Sequence, residues 1–272
     1  MIVELKPAEF PRALPLYREA GVCFPLISAV IRQRQRGQVF ADGRDEPGNA
    51  VVVTDFGFML LLGAEPGETF DEGFARLLAA GGEIKPSYLL WYSPPAGWQR
   101  RLDALGPDAA RRRERVRFRF NEERAGWLGE PVVAPDGFEL KSLTSDLIPK
   151  TEKFGVKLDS RFWASAADFV ENGVGVCLTK GGEVVSLCYA AAVADGLAEV
   201  DVVTDPEFRG RGLAGVATRQ FIKECLGRGI APTWDCFDYN AGSVKLAEKL
   251  GFSLASSYPF YSFNVPIKLE GV

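Results

Sequence analysis

The spacing of apolar and polar positions changes period several times along the chain, and it does so in the same order twice. Residues 10–35 carry mixed helical spacing. Short runs rich in apolar and β-branched residues at 38–42, 50–54 and 58–62, separated by Gly, Asp and Asn, predict three strands. Phe70, Phe74, Leu77 and Leu78 recur on one face of a helix over 70–80. A short apolar run predicts a strand at 88–92. A helix follows over 95–105, opened by prolines that suit a first turn. Basic and apolar residues then alternate over 113–120, as in a half-buried strand.

The second region repeats that order more clearly. Runs at 173–179 and 184–193 predict a hairpin around Lys180-Gly181-Gly182, and a third strand follows at 198–204. A helix over 212–226, a strand at 233–237, a helix over 242–250 and one or two strands within 253–264 complete the region. Both regions read β-β-β-α-β-α-β. The pattern predicts an α/β fold with mixed sheets in two related domains, 1–130 and 136–272. Between them Gly129-Glu130-Pro131-Val132-Val133-Ala134-Pro135-Asp136-Gly137 packs two prolines and two glycines.

Composition narrows the chemistry. The chain has no histidine, which removes Ser-His-Asp and Cys-His catalysis and nearly every transition-metal site. A proton acceptor must then be a carboxylate, a phenol, a thiolate, a backbone carbonyl or water. Five scattered cysteines with no C-x-x-C pair suit reduced, buried thiols. No apolar run approaches the roughly 20 residues of a membrane span, and the first ten residues lack a signal-peptide core, so a cytoplasmic protein without membrane contact is expected. Residues 136–272 hold 14 basic and 18 acidic residues and carry the whole net charge of −4. That imbalance argues against nucleic acid and for an amine-bearing substrate.

The most informative run is Val202-Val203-Thr204-Asp205-Pro206-Glu207-Phe208-Arg209-Gly210-Arg211-Gly212-Leu213-Ala214. A strand ends and a glycine-rich turn opens into a helix whose apolar face is Leu213, Ala217, Phe221 and Cys225. The first backbone N–H groups of a helix lack internal partners, and the macrodipole adds positive potential there. Gly210 and Gly212 would let phosphate approach the backbone, while Arg209 and Arg211 add cationic arms. The turn matches neither the dinucleotide G-x-G-x-x-G pattern nor the phosphate-loop pattern. By itself it is also readable as an ordinary strand-helix turn.

The pattern V-x-x-P-x-x-R-G-R-G-L-A, followed by Asn240-x-x-Ser243 and Leu250-Gly251-Phe252, resembles the GNAT superfamily of N-acetyltransferases. Its R/Q-x-x-G-x-G/A motif corresponds to Arg209, Gly212 and Ala214. A narrower resemblance, to the zwittermicin A resistance type, covers nearly the whole chain. It rests on Phe162-Trp163, Asp168-Phe169, Asn172-Gly173-x-Gly175, Glu199-x-Asp201-x-x-Thr204, Pro232-x-Trp234-Asp235-Cys236 and Ala247-Glu248-Lys249-Leu250-Gly251-Phe252. In the first region it rests on residues 37–42, Tyr92, Trp98 and Arg113.

The resemblance implies a GNAT (acyl-CoA N-acyltransferase) fold in the second domain and a degenerate GNAT-like first domain. It implies acetyl-CoA as co-substrate and no metal. It places the pyrophosphate at Arg209, Gly210, Arg211, Gly212, Leu213 and Ala214, and the pantetheine near Asn240 and Ser243. The thioester would lie between the strands at 198–204 and 233–237, with Val202 or Val203 offering an N–H to the oxyanion. Glu199 and Asp201 are the candidate general bases; with no bulge between them they share a strand face. The tyrosine that many relatives carry seven residues after the motif asparagine is Ala247 here, which leaves the general acid open among Tyr239, Tyr258, Tyr261 and Cys236.

Several features have plainer readings. Phe162, Trp163 and Phe169 read as core before acceptor pocket, and Arg111–Arg119 as a solvated strand face before a contact with RNA, an acidic partner or the 3′-phosphate of CoA. The first domain has no R-x-x-G-x-G/A at the matching turn, where Gly63-Ala64-Glu65-Pro66-Gly67-Glu68 carries acids, so one cofactor site per chain is expected. The expected acceptor is a small-molecule amine, with monomer and homodimer both open. The competing readings are a non-catalytic acetyl-CoA or metabolite binder and a lysine acetyltransferase. A tandem aminoacyl transferase of the peptidoglycan type is the third, and the acidic second domain and intact Arg209-x-x-Gly212 argue against it.

Overall fold

The computed structural model of the protein describes residues 2–63 and 67–269. The chain divides into two compact units, Met1–Arg115 with Ser257–Val272, and Val116–Ser256. The linker-like stretch 130–136 contains no helix or strand, yet the units do not divide there. The divisions fall inside two strands, so the expected domain limits differ from the observed ones in where each repeat's final strand resides.

The first unit begins with β1 (Val3–Glu4), a 3₁₀ turn at Pro7–Ala13, α1 (Leu14–Glu19) and α2 (Pro25–Ile31). Next come β2 (Gly37–Ala41), β3 (Ala50–Thr54), β4 (Phe58–Leu62), α3 (Glu68–Ala80), β5 (Tyr88–Tyr92), α4 (Ala96–Ala104) and the start of β6 (Ala110–Phe120). All five residues of β3, Ala-Val-Val-Val-Thr, are buried, as expected of a strand covered on both faces. α3 buries Phe70, Phe74, Leu77 and Leu78 and ends at Gly81, whose φ of 63° needs glycine. Beneath it Phe74, Trp91 and Trp98 pack ring against ring at 5.2–5.7 Å, and the Trp98 indole donates to Asp71 at 2.7 Å. The sheet runs β1-β2-β3-β4-β5 and closes on the last strand of the chain, antiparallel to β5 from Tyr92↔Phe260 to Tyr88↔Asn264.

The second unit takes the end of β6 and adds β7 (Glu139–Ser142), a π-helical turn at Leu158–Phe162 and α5 (Ala166–Asn172). It continues with β8 (Gly175–Lys180), β9 (Glu183–Ala194), β10 (Leu197–Thr204), α6 (Leu213–Gly227), β11 (Ala231–Phe237), α7 (Ala241–Lys249) and β12 (Phe252–Asn264), whose residues from Ser257 onward belong to the first unit. The final run is therefore one strand. The sheet order is β6-β11-β10-β9-β8-β7. α6 lays Leu213, Ala217, Phe221, Ile222 and Cys225 on the sheet. Trp163 and Phe169 are core, as are Phe162 and the Trp163 indole, which donates to the Ala190 carbonyl at 3.0 Å. A Cβ on Gly173 or Gly175 would meet the Phe169 ring at 2.6–2.9 Å, so glycine is needed for that approach.

Cys177, Cys188 and Cys225 are buried here. Burial pushes Cys177 up to about 11 and Cys225 up to about 12, and holds Cys188 well above the ordinary thiol value. A raised folded-state value means that the native chain keeps its protons after the unfolded chain has lost them. Stability from these thiols is thus complete below pH about 9 and declines as pH rises toward 11–12. Thermal melts across that window should show a falling midpoint, less steep in Cys225→Ala. A midpoint flat from about pH 8 to 10.5 would contradict this.

Candidate active site

β10 is held differently on its two edges. Against β9 it pairs along its whole length, from Leu197↔Ala194 to Thr204↔Ser186. Against β11 it runs parallel and pairs only at Leu197↔Ala231, Ala198↔Pro232 and Glu199↔Thr233. The Thr233 hydroxyl closes those rungs by donating to the Ala198 carbonyl at 3.1 Å. Beyond them 200–204 and 234–237 part, and the half-buried Val202 and Val203 lie on the freed segment.

The parting strand leads directly into the glycine-rich turn. Asp205 accepts from the Glu207 N–H at 3.1 Å and pairs with Lys153 at 3.2 Å. Those two contacts, the backbone N–H first, hold its carboxyl below the usual range. Arg209 Nε donates back to the Thr204 carbonyl at 3.1 Å. Gly210 and Gly212 have φ of 75° and 77°, the left-handed region that costs L-residues with a side chain. A Cβ at either would meet nothing within 4 Å, so the space over both glycines is open. Gly212 is also the N-cap of the 15-residue α6, and no side chain caps that helix. Leu213 is buried beneath the turn, Ala214 is half-buried, and Arg209 and Arg211 are exposed beside it. The turn 209–214 thus presents an uncapped helix N-terminus, two left-handed glycines under open space and two exposed arginines.

The two candidate bases differ in surroundings. A bulge lies between their rungs, but Ala191 of β9 is the extra residue, since Glu199 pairs with Ala192 and Val200 with Ala190. β10 therefore keeps its alternation, and Glu199 and Asp201 share a face. Glu199 is 7% exposed and lies 3.6 Å from the Arg117 guanidinium. Asp201 is exposed and accepts a 2.6 Å hydrogen bond from the buried Tyr189 hydroxyl. Burial, then the Asp201 charge, push the Tyr189 phenol far above its ordinary value, so it remains a donor.

Asn240 and Ser243 have structural duties. Asn240 caps α7, accepting from the Ser243 N–H at 3.2 Å, and the Ser243 hydroxyl accepts from the Trp234 indole at 3.0 Å. Ala247 is fully buried. Of the four candidate acids, Tyr258 and Tyr261 are core residues of the first unit, and Tyr261 donates to Asp103 at 2.7 Å. Cys236 is buried, while Tyr239 is 66% exposed and stacks on Phe237 at 5.1 Å. Tyr189 carries no mark in the sequence, while Asp235 stood only as part of a motif and Arg117 only as part of the basic run. For Arg117 the expectation of a solvated face is corrected: it is 5% exposed and pairs with Asp235 at 3.0 Å.

Comparison with known proteins adds the family. The N-acetyltransferase YdfB of Bacillus subtilis (strain 168), itself uncharacterized, is 27% identical over 239 residues, 88% of this chain and 90% of that protein. The GCN5-related N-acetyltransferase-like protein from Streptococcus suis 89/1591 shares the fold with a TM-score of 0.71 at 23% identity, over 94% of this chain and 99% of that one. A tandem GNAT protein from the clavulanic acid biosynthesis pathway does so at 0.66 and 13% identity, over 97% and 98%. The GNAT acetyltransferase family model matches residues 22–261, and the chain belongs to that family.

Proposed function

We propose that this N-acetyltransferase moves an acetyl group from acetyl-CoA to a primary amine of a small-molecule acceptor, by direct attack in a ternary complex. The observation that carries the reading is the parting of β10 from β11 after three rungs, next to an uncapped helix N-terminus with two left-handed glycines. The residues present fit acetyl-CoA. The turn Arg209–Ala214 offers backbone donors and cationic arms to a pyrophosphate. The open edge of 201–203 accepts the pantetheine amides as a strand would. Asn240 and Ser243 flank that arm from α7. When bound, the thioester supplies the activated acetyl carbon.

The chain's own residues then do three things. They align amine and thioester, the main source of rate. The N–H of Val202 or Val203 donates to the developing oxyanion. A carboxylate takes the proton of the attacking amine as the C–N bond forms and the thiolate leaves. Asp201, exposed and oriented by Tyr189, suits that role better than Glu199, which faces a guanidinium. Tyr239 is the remaining tyrosine candidate near the end of β11, and water is the alternative proton source for the thiolate.

Within the family we place the chain in the zwittermicin A resistance type, on the motifs named above. Among the described residues no helix is long and apolar enough to cross a membrane, and a cytoplasmic setting is part of the proposal. The buried Ala247 favours the second reading, an acetyl-CoA binder without turnover.

One site per chain is proposed. In the first unit β4 and β5 also pair in parallel briefly, at Phe58↔Leu90 and Met59↔Trp91, but the first turn of α3 carries Glu68 and Asp71, which repel phosphate. Residues 64–66 of that turn lie outside the described residues. Isothermal titration of acetyl-CoA into the purified protein should give saturable binding with one site per chain. Absence of binding to the folded protein would defeat both readings, whereas binding without acetylation of any amine in a broad screen would favour the second.

A further inference from the structure

Arg117 lies where the two strands part. β6 is the neighbour of β11, and the Arg117 side chain reaches from it across β11. Its Nε donates to Oδ2 of Asp235 at 3.0 Å, and its Nη2 lies 3.6 Å from Oε1 of Glu199. Glu199 is the last residue of β10 that pairs with β11, and its rung partner Thr233 precedes Asp235 by two. One guanidinium therefore ties the two strands together just where their own ladder stops. The three side chains are 6%, 9% and 1% exposed.

Stability alone is a poor reason for this cluster. Three charges taken out of water lose hydration that their mutual attraction barely restores, and apolar replacements are often as stable. What the cluster supplies is geometry. A planar guanidinium that donates to Asp235 through Nε holds its Nη2 charge 3.6 Å from Glu199, a fixed two-point geometry that a lysine ammonium does not reproduce. β10 is already pinned by β9 as far as Thr204↔Ser186. The width of the opening is then set by where β11 is held; besides its ladder with β6, the Arg117–Asp235 bond is a side-chain tie at that point.

We propose that Arg117 is a positioning residue that braces the β10–β11 opening and so fixes the pantetheine arm of acetyl-CoA, while taking no part in binding the nucleotide end. The inference rests on the opening being the acetyl-CoA site. The nucleotide end belongs to the turn 209–214 and the start of α6, whose geometry comes from Gly210, Gly212 and the Arg209–Thr204 bond rather than from Arg117.

The test compares two probes, acetyl-CoA and its nucleotide half, 3′-phospho-ADP, titrated calorimetrically into wild type and two variants. Arg117→Lys keeps the charge and loses the fork. The triple variant Arg117→Met/Glu199→Gln/Asp235→Asn removes the brace without stranding a buried charge, and remains informative if the lysine variant does not fold. Acetyl-CoA affinity should fall about 10- to 100-fold as the arm is misplaced. Affinity for 3′-phospho-ADP should stay within about twofold, as for an independent site. Unchanged acetyl-CoA affinity would overturn the brace. Equal loss for both probes would overturn it too, by marking Arg117 as a general fold residue. A wild type that binds neither probe defeats the reading of the opening itself. A wild type that binds both equally tightly leaves that reading standing and removes the arm contribution on which the brace depends.

Discussion

The double variant Arg209→Glu/Gly212→Asp is expected to lose acetyl-CoA binding by at least about 100-fold, because two carboxylates replace one cation and an open anion cradle. The fold should tolerate the change. A Cβ at Gly212 meets no atom within 4 Å, and its φ of 77° is a conformation that Asp adopts more readily than most residues. Arg209 is exposed and donates to the Thr204 carbonyl. Gly212→Ala separates the two causes, since it carries the backbone strain without the charge. Alanine should cost binding only modestly, through the backbone. Calorimetry with acetyl-CoA, beside far-UV dichroism and thermal melts for folding, checks all three proteins. A folded double variant that binds as wild type does would move the phosphates away from α6 altogether.

The elements were legible wherever one side of the chain had to be apolar. β3 is a bare apolar run because both its faces are covered, and α3 and α6 show period-four faces because one side of each lies on a sheet. β7 is a polar four-residue edge strand, and α5 buries only Phe169 and is defined by its Ser165 cap, so neither leaves a periodic trace. Strand partners are a different matter, since alternation tells which face is buried and not which neighbour covers the edge. The run 113–120 reads as a strand, but nothing in it says that its second half completes the sheet beside β11. Nor does 257–264 announce its pairing with β5. The two compact units divide elsewhere than the expected domains for that reason.

The candidate site divides in the same way. The glycines and the strand-helix turn at 209–214 are backbone requirements written locally, so the turn itself was legible. Arg117, Asp235 and Tyr189 are set by contacts between strands far apart in sequence, and one arginine in a basic run carries no local mark of burial. Asn240 and Ser243 were readable as a motif, but their hydrogen bonds show the motif also serving as a helix cap, a duty that a pattern match does not reveal.

Asp201→Asn is expected to lower kcat about 10²- to 10⁴-fold, the usual contribution of a positioned general base, once an amine that supports turnover is in hand. Acetyl-CoA affinity should change little, because the proposed contacts of 201–203 with the cofactor are through the backbone. Tyr189→Phe should have a smaller effect, about tenfold, since it removes the 2.6 Å bond that orients the carboxylate and leaves the carboxylate itself. The two losses should not add, because the tyrosine acts only through the aspartate, and the double variant should match Asp201→Asn. Burial keeps the Tyr189 phenol protonated well beyond its ordinary value. Tyr189→Phe should therefore lower the pH–rate profile without removing an alkaline limb, whereas a tyrosine acting as the acid itself would take one away. Steady-state rates of Asp201→Asn, Glu199→Gln and Tyr189→Phe across pH decide among the roles. Should Asp201→Asn keep wild-type kcat while Glu199→Gln loses it, the base is Glu199 despite its guanidinium neighbour, and the Tyr189–Asp201 pair serves only to hold β9 to β10.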